Sequence, residues 1–273
     1  MAKVAAIQMA SGSQVTANLM EAGRLIGEAA AQGAQMVVLP EAFVFMGKSE
    51  EARVKLAEPI GSGQMQDAIK ELAIKYKIWI VAGTIPIQSD DPTRAYASSL
   101  VFNNKGEQVA RYDKMHLFDV ELSEAQETYA ESETTNPGSE RIVIDTPIGR
   151  VGMAVCYDLR FPGHFRHMME AGAELLVIPS AFTDTTGKAH WEVLVRARAI
   201  ENMSYVIASA QGGFHVNGRA TYGHSMIVDY WGNIHEQLGK GAGMIICDID
   251  LETLRATRKA FPVLEHRRQS ECR

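Results

Sequence analysis

Cys156 stands where an apolar run gives way to charge. In Arg150–Pro162, RVGMAVCYDLRFP, the residues Val151, Met153 and Val155 alternate with small ones, the pattern of a strand. Asp158, Arg160 and Pro162 then bring charge and a chain break. A thiol at a strand end, with backbone N–H groups free in the turn after it, has the setting of a nucleophile. A free cysteine is equally at home as a small buried apolar residue, so both readings stand on this stretch alone. Glu41, in LPEAFVF, is a carboxylate between two apolar runs, where partial burial suits it to accept a proton, the other reading being an exposed turn glutamate. Lys114, in RYDKMHLFDVE, reads on its own as an ordinary surface lysine; the work open to it in a site is to hold an ammonium beside a developing oxyanion, with the backbone N–H of Tyr157 as a second donor. Together these residues can carry out acyl transfer. Glu41 takes the thiol proton, sulfur attacks an amide carbonyl, and the amine leaves (ammonia from a primary amide). Glu41 then activates water to hydrolyse the thioester. A Cys–His pair is the alternative, with His116, His190 and His224 as candidate bases, of which His116 and His224, at strand margins, read equally as satisfied core histidines.

The elements that must position these groups follow from periodicity. Strands are predicted over Lys3–Met9, Gln35–Leu39 and Ile78–Thr84, with a hairpin of Ser98–Asn103 and Gln108–Tyr112. Helices are predicted over Thr16–Ala31 and Gln64–Lys77. Lys114–Ser139 is polar and lacks regular signals; it carries Asp119, Glu121, Glu124, Glu127, Glu131 and Glu133, of which Glu131 reads simply as a solvated carboxylate. The pattern then restarts, with strands at Arg141–Asp145, Val151–Val155, Glu174–Ile178, Tyr205–Ala210, His224–Asp229 and Met244–Ile249, and helices at Gly163–Ala171 and Ala189–Met203. AQGAQMVVLPEAF (residues 31–43) matches EAGAELLVIPSAF (170–182), which makes the restart an internal repeat. Two such α/β halves, each with one helix-covered face, predict a four-layer α-β-β-α sandwich with pseudo-two-fold symmetry. Glu41, Cys156 and Ser180 then fall at strand ends facing one cleft, where open α/β sheets bind ligands. The whole chain, 1–273, reads as one domain with a polar tail from about residue 262.

Composition narrows the function. The chain is 46% hydrophobic with a net charge of −6 and no basic run, which argues against nucleic acid as a partner. No apolar stretch approaches membrane-spanning length, and the N-terminus turns polar too soon for a signal peptide. Three cysteines (Cys156, Cys247 and Cys272) and no paired-ligand spacing among eight histidines argue for a reducing, cytoplasmic setting and against a disulfide framework or a metal site. No cofactor is expected. Cys247 alternates within MIICDID and reads as core.

Three motifs in this order and spacing, LPEAF, RYDKMHLFDVE and GMAVCYDLRFP, resemble the nitrilase superfamily of carbon–nitrogen hydrolases over nearly the whole length. The finer match is to its Nit branch, carried by PSAFTDTTGKAHWEVLVRARAIEN, GRATYGHSMIVDYWGNI and FPVLEHRR. The resemblance implies the same four-layer fold, a Glu41–Lys114–Cys156 triad, a second glutamate placed at Glu131, and a homodimer or larger homo-oligomer. It also implies hydrolysis of the terminal amide of deaminated glutathione to 2-oxoglutarate and Cys-Gly; a sibling activity, on α-ketoglutaramate, is the alternative. Gly163-His164 and Ala97 depart from the family pattern. A carboxylated amide needs a cation besides Lys114, and Arg160, four residues past Cys156, is the candidate, the other option being an Arg160–Asp158 pair. Phe182 and Thr183 are expected to line the pocket, and of Arg196 and Arg198 at least one is expected to be structural.

Overall fold

Alternate residues of the central strands pack into different cores, and this sets the layers. The computed structural model describes residues 1–122 and 127–268; Glu124 and Cys272 lie outside them. The first half runs β1 (Ala2–Gln8), α1 (Val15–Ala31), β2 (Met36–Val38), α2 (Glu50–Val54), α3 (Gln64–Tyr76), β3 (Trp79–Gln88), β4 (Ala95–Phe102) and β5 (Gln108–Asp113). A connecting segment holds β6 (Asp119–Leu122), β7 (Glu127–Ala130) and β8 (Thr135–Asn136). The second half runs β9 (Val143–Thr146), β10 (Gly149–Met153), α4 (Pro162–Glu170), β11 (Leu175–Ser180), α5 (Asp184–Asn202), β12 (Tyr205–Ala210), β13 (Met226–Val228) and β14 (Ile234–Gln237). Last come β15 (Gly243–Ile249) and α6 (Leu251–Ala260).

Val4, Ala6, Met36 and Val38 face the second sheet, while Ala5, Ile7, Val37 and Leu39 face α1 and α3 through Leu25, Ile26 and Ile69. The second sheet is backed by α4 and α5 through Phe165, Met168, Trp191 and Val195. The order is the expected α-β-β-α.

The strand order shows the repeat in space. One sheet runs β15-β1-β2-β3-β4-β5, with β8 beside β4; the other runs β9-β10-β11-β12-β13-β14. In each, three parallel strands are flanked by antiparallel ones at matching positions. At the centre, Gly212 N donates to Met9 O at 2.8 Å, and Ser209 Oγ donates to Val38 O at 2.9 Å, tying the sheets together. The strand ends that carry the candidate residues therefore converge.

Five expectations change. The edge strand of the first sheet is β15, which crosses from the second half to pair with β1 in full register. The 114–139 segment is not featureless: β6 and β7 form a hairpin, invisible to periodicity because its residues alternate only between partly buried and exposed. Helix α5 starts at Asp184 rather than Ala189, since Gly187 marks the close approach of Tyr222 (a Cβ there would lie 2.3 Å from it) and not a break. β14 and α6 have few buried residues and so little periodic signal; α6 docks through Leu254 and the Arg255–Glu174 pair. Cys247 is half-buried beside the core rather than within it. Among the described residues no helix is long and apolar enough to cross a membrane.

Gly83 in β3 bears directly on the site. A Cβ there would lie 1.9 Å from the Pro40 carbonyl oxygen, and its φ of +22° suits glycine. The irregularity of β3 here lets Thr84 Oγ1 accept from Ala42 N at 2.8 Å, fixing the turn that carries Glu41. Gly83→Ala is expected to destabilise the fold by about 1–3 kcal/mol, as for overpacking, and to lower turnover. Urea unfolding beside an activity assay checks this; wild-type values in both would mean that the Glu41 turn relaxes freely.

Candidate active site

Glu41, Lys114, Glu131 and Cys156 line one cavity of about 280 Å³ at the strand ends. Glu41 leaves β2 through Leu39-Pro40. Its carbonyl accepts from Gln211 Nε2 of the other sheet at 3.0 Å, and Ala42 after it takes φ 53°, so both halves hold the turn.

Lys114 directly follows β5. Its N–H donates to Ala97 O at 3.1 Å and its carbonyl accepts from Gly138 N at 2.9 Å. The side chain is 2% exposed, and Nζ donates to Glu41 Oε1 at 2.8 Å and to Glu131 Oε1 and Oε2 at 3.0 and 2.8 Å. An ammonium has three N–H donors, and all three are engaged. Burial pulls this group towards its neutral form, but the carboxylates of Glu131 and Glu41 outweigh it and hold the amine charged well above its usual range. Glu131 sits on a short 3-10 turn (Glu131–Glu133), where Oε2 also accepts from Phe118 N at 2.7 Å. A solvated Glu131 is thus excluded. For Nζ to serve a substrate oxygen it must release one Glu131 contact, which the Phe118 N–H partly compensates.

Cys156 opens the 3-10 turn Cys156–Arg160 with φ 47°, a left-handed conformation that non-glycine residues seldom adopt. Asp158 holds it there. This fully buried carboxylate accepts from Val155 N at 2.8 Å, Tyr112 OH at 2.6 Å, His116 N at 3.1 Å and His116 Nδ1 at 2.6 Å. Burial alone would raise its pKa; the His116, Tyr112 and Val155 hydrogen bonds and the nearby His164 together keep it below the usual carboxylate value. Cys156 Sγ accepts from Ala181 N at 3.5 Å. Burial and the Glu41 carboxylate push the thiol well above its ordinary pKa, against the pull of Lys114 and the Ala181 N–H. The resting group is therefore a thiol that needs a base. Among the described residues the Tyr157 N–H has no protein acceptor, which leaves it available to an oxyanion.

The histidines do not form the alternative pair. His116 serves Asp158 and stacks on Phe161 at 3.8 Å, His190 meets Arg160, and His224 binds the Tyr222 carbonyl. Arg160 does not pair with Asp158. Its Nη1 lies 3.2 Å from His190 Nδ1, and its guanidinium lies 5.3 Å from the Phe182 ring on the cavity wall. Phe182 lines that wall, packed on Trp191. Thr183 also lines it, but its hydroxyl caps α5, accepting from Thr186 N at 3.2 Å, so it is a wall and not a free ligand group. Arg196 and Arg198 are both structural, donating to the carbonyls of Gly232 and Leu159. Ala97 lines the cavity as well as supporting Lys114, whereas Gly163 faces open space and His164 is buried against Tyr112. Sequence reasoning missed Arg219, which lies on the cavity within the GRATYG turn.

Two facing sheets hold a thiol, a lysine and two carboxylates at their junction, and the Carbon-nitrogen hydrolase family pattern matches residues 3–259: the chain belongs to that family of hydrolases. It is 42% identical to the deaminated glutathione amidase of Yersinia enterocolitica, covering 98% of this chain and 93% of that one. The deaminated glutathione amidase of Homo sapiens is also 42% identical, covering 97% and 82%. Among solved structures, the C. elegans NitFhit protein superposes with a TM-score of 0.91 at 40% identity, over 98% of this chain and 66% of that one. A Saccharomyces cerevisiae member of branch 10 of the nitrilase superfamily superposes at 0.86 with 33% identity, over 98% and 96%.

Proposed function

We propose that this chain is a cysteine amidase that hydrolyses the terminal amide of deaminated glutathione to 2-oxoglutarate and Cys-Gly. The observation that carries the reading is the buried Glu41–Lys114–Glu131 cluster sharing one cavity with the Cys156 thiol. Glu41 accepts the Cys156 proton as sulfur attacks the γ-amide carbonyl. The oxyanion is met by Lys114 Nζ and the Tyr157 N–H. The proton passes to the departing amine of Cys-Gly, leaving a thioester on Sγ. Water, deprotonated by Glu41, then releases 2-oxoglutarate and restores the thiol. Glu131 keeps Lys114 aimed. The relatives named deaminated glutathione amidase support the substrate.

Arg160 grips the keto-acid carboxylate in this reading. Arg160→Lys removes the planar fork but keeps the charge. It is expected to lower kcat/KM on the carboxylated substrate by about 10- to 100-fold, the range for a charge-assisted hydrogen bond, and to spare a neutral amide. Equal loss on both would reject the anchor. Side-by-side kinetics on deaminated glutathione, α-ketoglutaramate and a simple nitrile test the function itself; a higher kcat/KM on α-ketoglutaramate would assign the sibling activity instead.

A further inference from the structure

The cavity carries more cation than one carboxylate requires. Three guanidiniums line it, those of Arg53, Arg160 and Arg219. Arg53 is spent on Glu50 at 3.1 Å and Thr135 Oγ1 at 2.6 Å. Neither Arg160 nor Arg219 has a carboxylate partner among the described residues, unlike Arg111, Arg196 and Arg198, which each pair with one. Arg219 Nη2 donates to Ala181 O at 2.5 Å, which fixes the guanidinium, while its buried Nε has no hydrogen-bond partner. A guanidinium on a cavity wall with no carboxylate of its own suits a carboxylate ligand.

The two arginines bracket a row of rings. Arg219 lies over Tyr129 at 5.1 Å; Tyr129 packs on Phe118 at 5.0 Å and Phe118 on Tyr157 at 5.1 Å; Arg160 lies over Tyr157 at 5.8 Å. One cation therefore stands at each end of the aromatic wall beside Cys156. From this placement we infer that Arg219 forms a second carboxylate subsite, opposite Arg160, that receives the C-terminal carboxylate of the leaving dipeptide. The inference rests on the amidase reading and adds a demand to it: the preferred substrate carries a carboxylate on each side of the scissile amide, one for each arginine. A small keto-acid amide that releases ammonia has nothing to offer Arg219.

The test compares three substrates: deaminated glutathione, its glycine methyl ester, and α-ketoglutaramate. The wild-type enzyme is expected to favour the free acid over the ester by about tenfold or more in kcat/KM, as for a charge-assisted hydrogen bond. In Arg219→Gln that preference falls to within about twofold, chiefly through KM, and kcat/KM falls more for deaminated glutathione than for α-ketoglutaramate. Arg219→Lys, which keeps the charge, is expected to retain part of the acid preference, separating a ligand role from support of the Ala181 loop. An Arg219→Gln enzyme that still prefers the acid, or that loses equally on all three substrates, overturns the inference, as does a wild-type enzyme that is active without any preference. A wild-type enzyme inactive on all three would instead overturn the amidase reading itself.

Discussion

Cys156→Ala is expected to abolish amide turnover, with kcat falling by roughly 10⁴-fold or more, as when a nucleophile is removed from a site that acts as a unit. The fold should survive. Asp158 reaches the turn through Val155 N, Tyr112 and His116, none of which involves the cysteine side chain, and alanine meets the φ of 47° at a cost similar to cysteine's. Thermal unfolding within a few degrees of wild type, together with lost activity, is the expected pair of results. Acid-quenched wild-type enzyme should also carry an acyl mass on the peptide containing Cys156, absent from the variant. Substantial residual turnover in Cys156→Ala would remove the nucleophile from the proposal, and with it the thioester.

Lys114→Met tests the other half of the site and should cost stability as well as rate. The ammonium is the shared partner of Glu41 and Glu131, both mostly withdrawn from solvent. Removing one member of such a buried set leaves uncompensated charge and costs about 3–5 kcal/mol. Loss of an oxyanion donor adds about 2.7–4 kcal/mol to the barrier, or 10²–10³-fold in kcat. The two effects are separable. Adding Glu131→Gln to Lys114→Met should recover part of the unfolding free energy in urea, because one buried charge is gone, and should recover no activity. Recovery of turnover would mean that Lys114 serves only to neutralise its neighbours.

Much of this architecture could be read from residue patterns. The matched GAxφφVφPxAF segments (φ apolar) announced two related halves, and the sheets repeat one another strand for strand. Glu41 and Cys156 stood out as candidates because each ends or directly follows an apolar strand, where a polar group interrupts the pattern; Lys114, after Arg111-Tyr112-Asp113, read on its own as an ordinary lysine, and the family resemblance singled it out. Glu131 was not legible in that way. It sits among other loop acids, and only the fold brings it to Lys114 while leaving Glu121 and Glu133 elsewhere; the family resemblance, not periodicity, singled it out. The left-handed backbone at Cys156 left no trace because no glycine marks it. Arg219 was hidden for another reason: an arginine after a Gly turn reads as surface charge until it is seen on the cavity wall with no carboxylate partner among the described residues.

The pairing of β15 with β1 has a consequence for how the chain is made. Seven residues near the start pair in register with seven near residue 246, across almost the whole sequence. Such long-range closure is slow relative to local contacts, because loop entropy must be lost before the ladder repays it. Until β15 emerges from the ribosome, β1 presents an open, apolar edge, the kind of surface that pairs with other chains. Synthesis of this protein therefore passes through a stage in which every candidate site residue already exists but the first sheet lacks its border. Demand for a holding chaperone should peak there and end when the last strand docks.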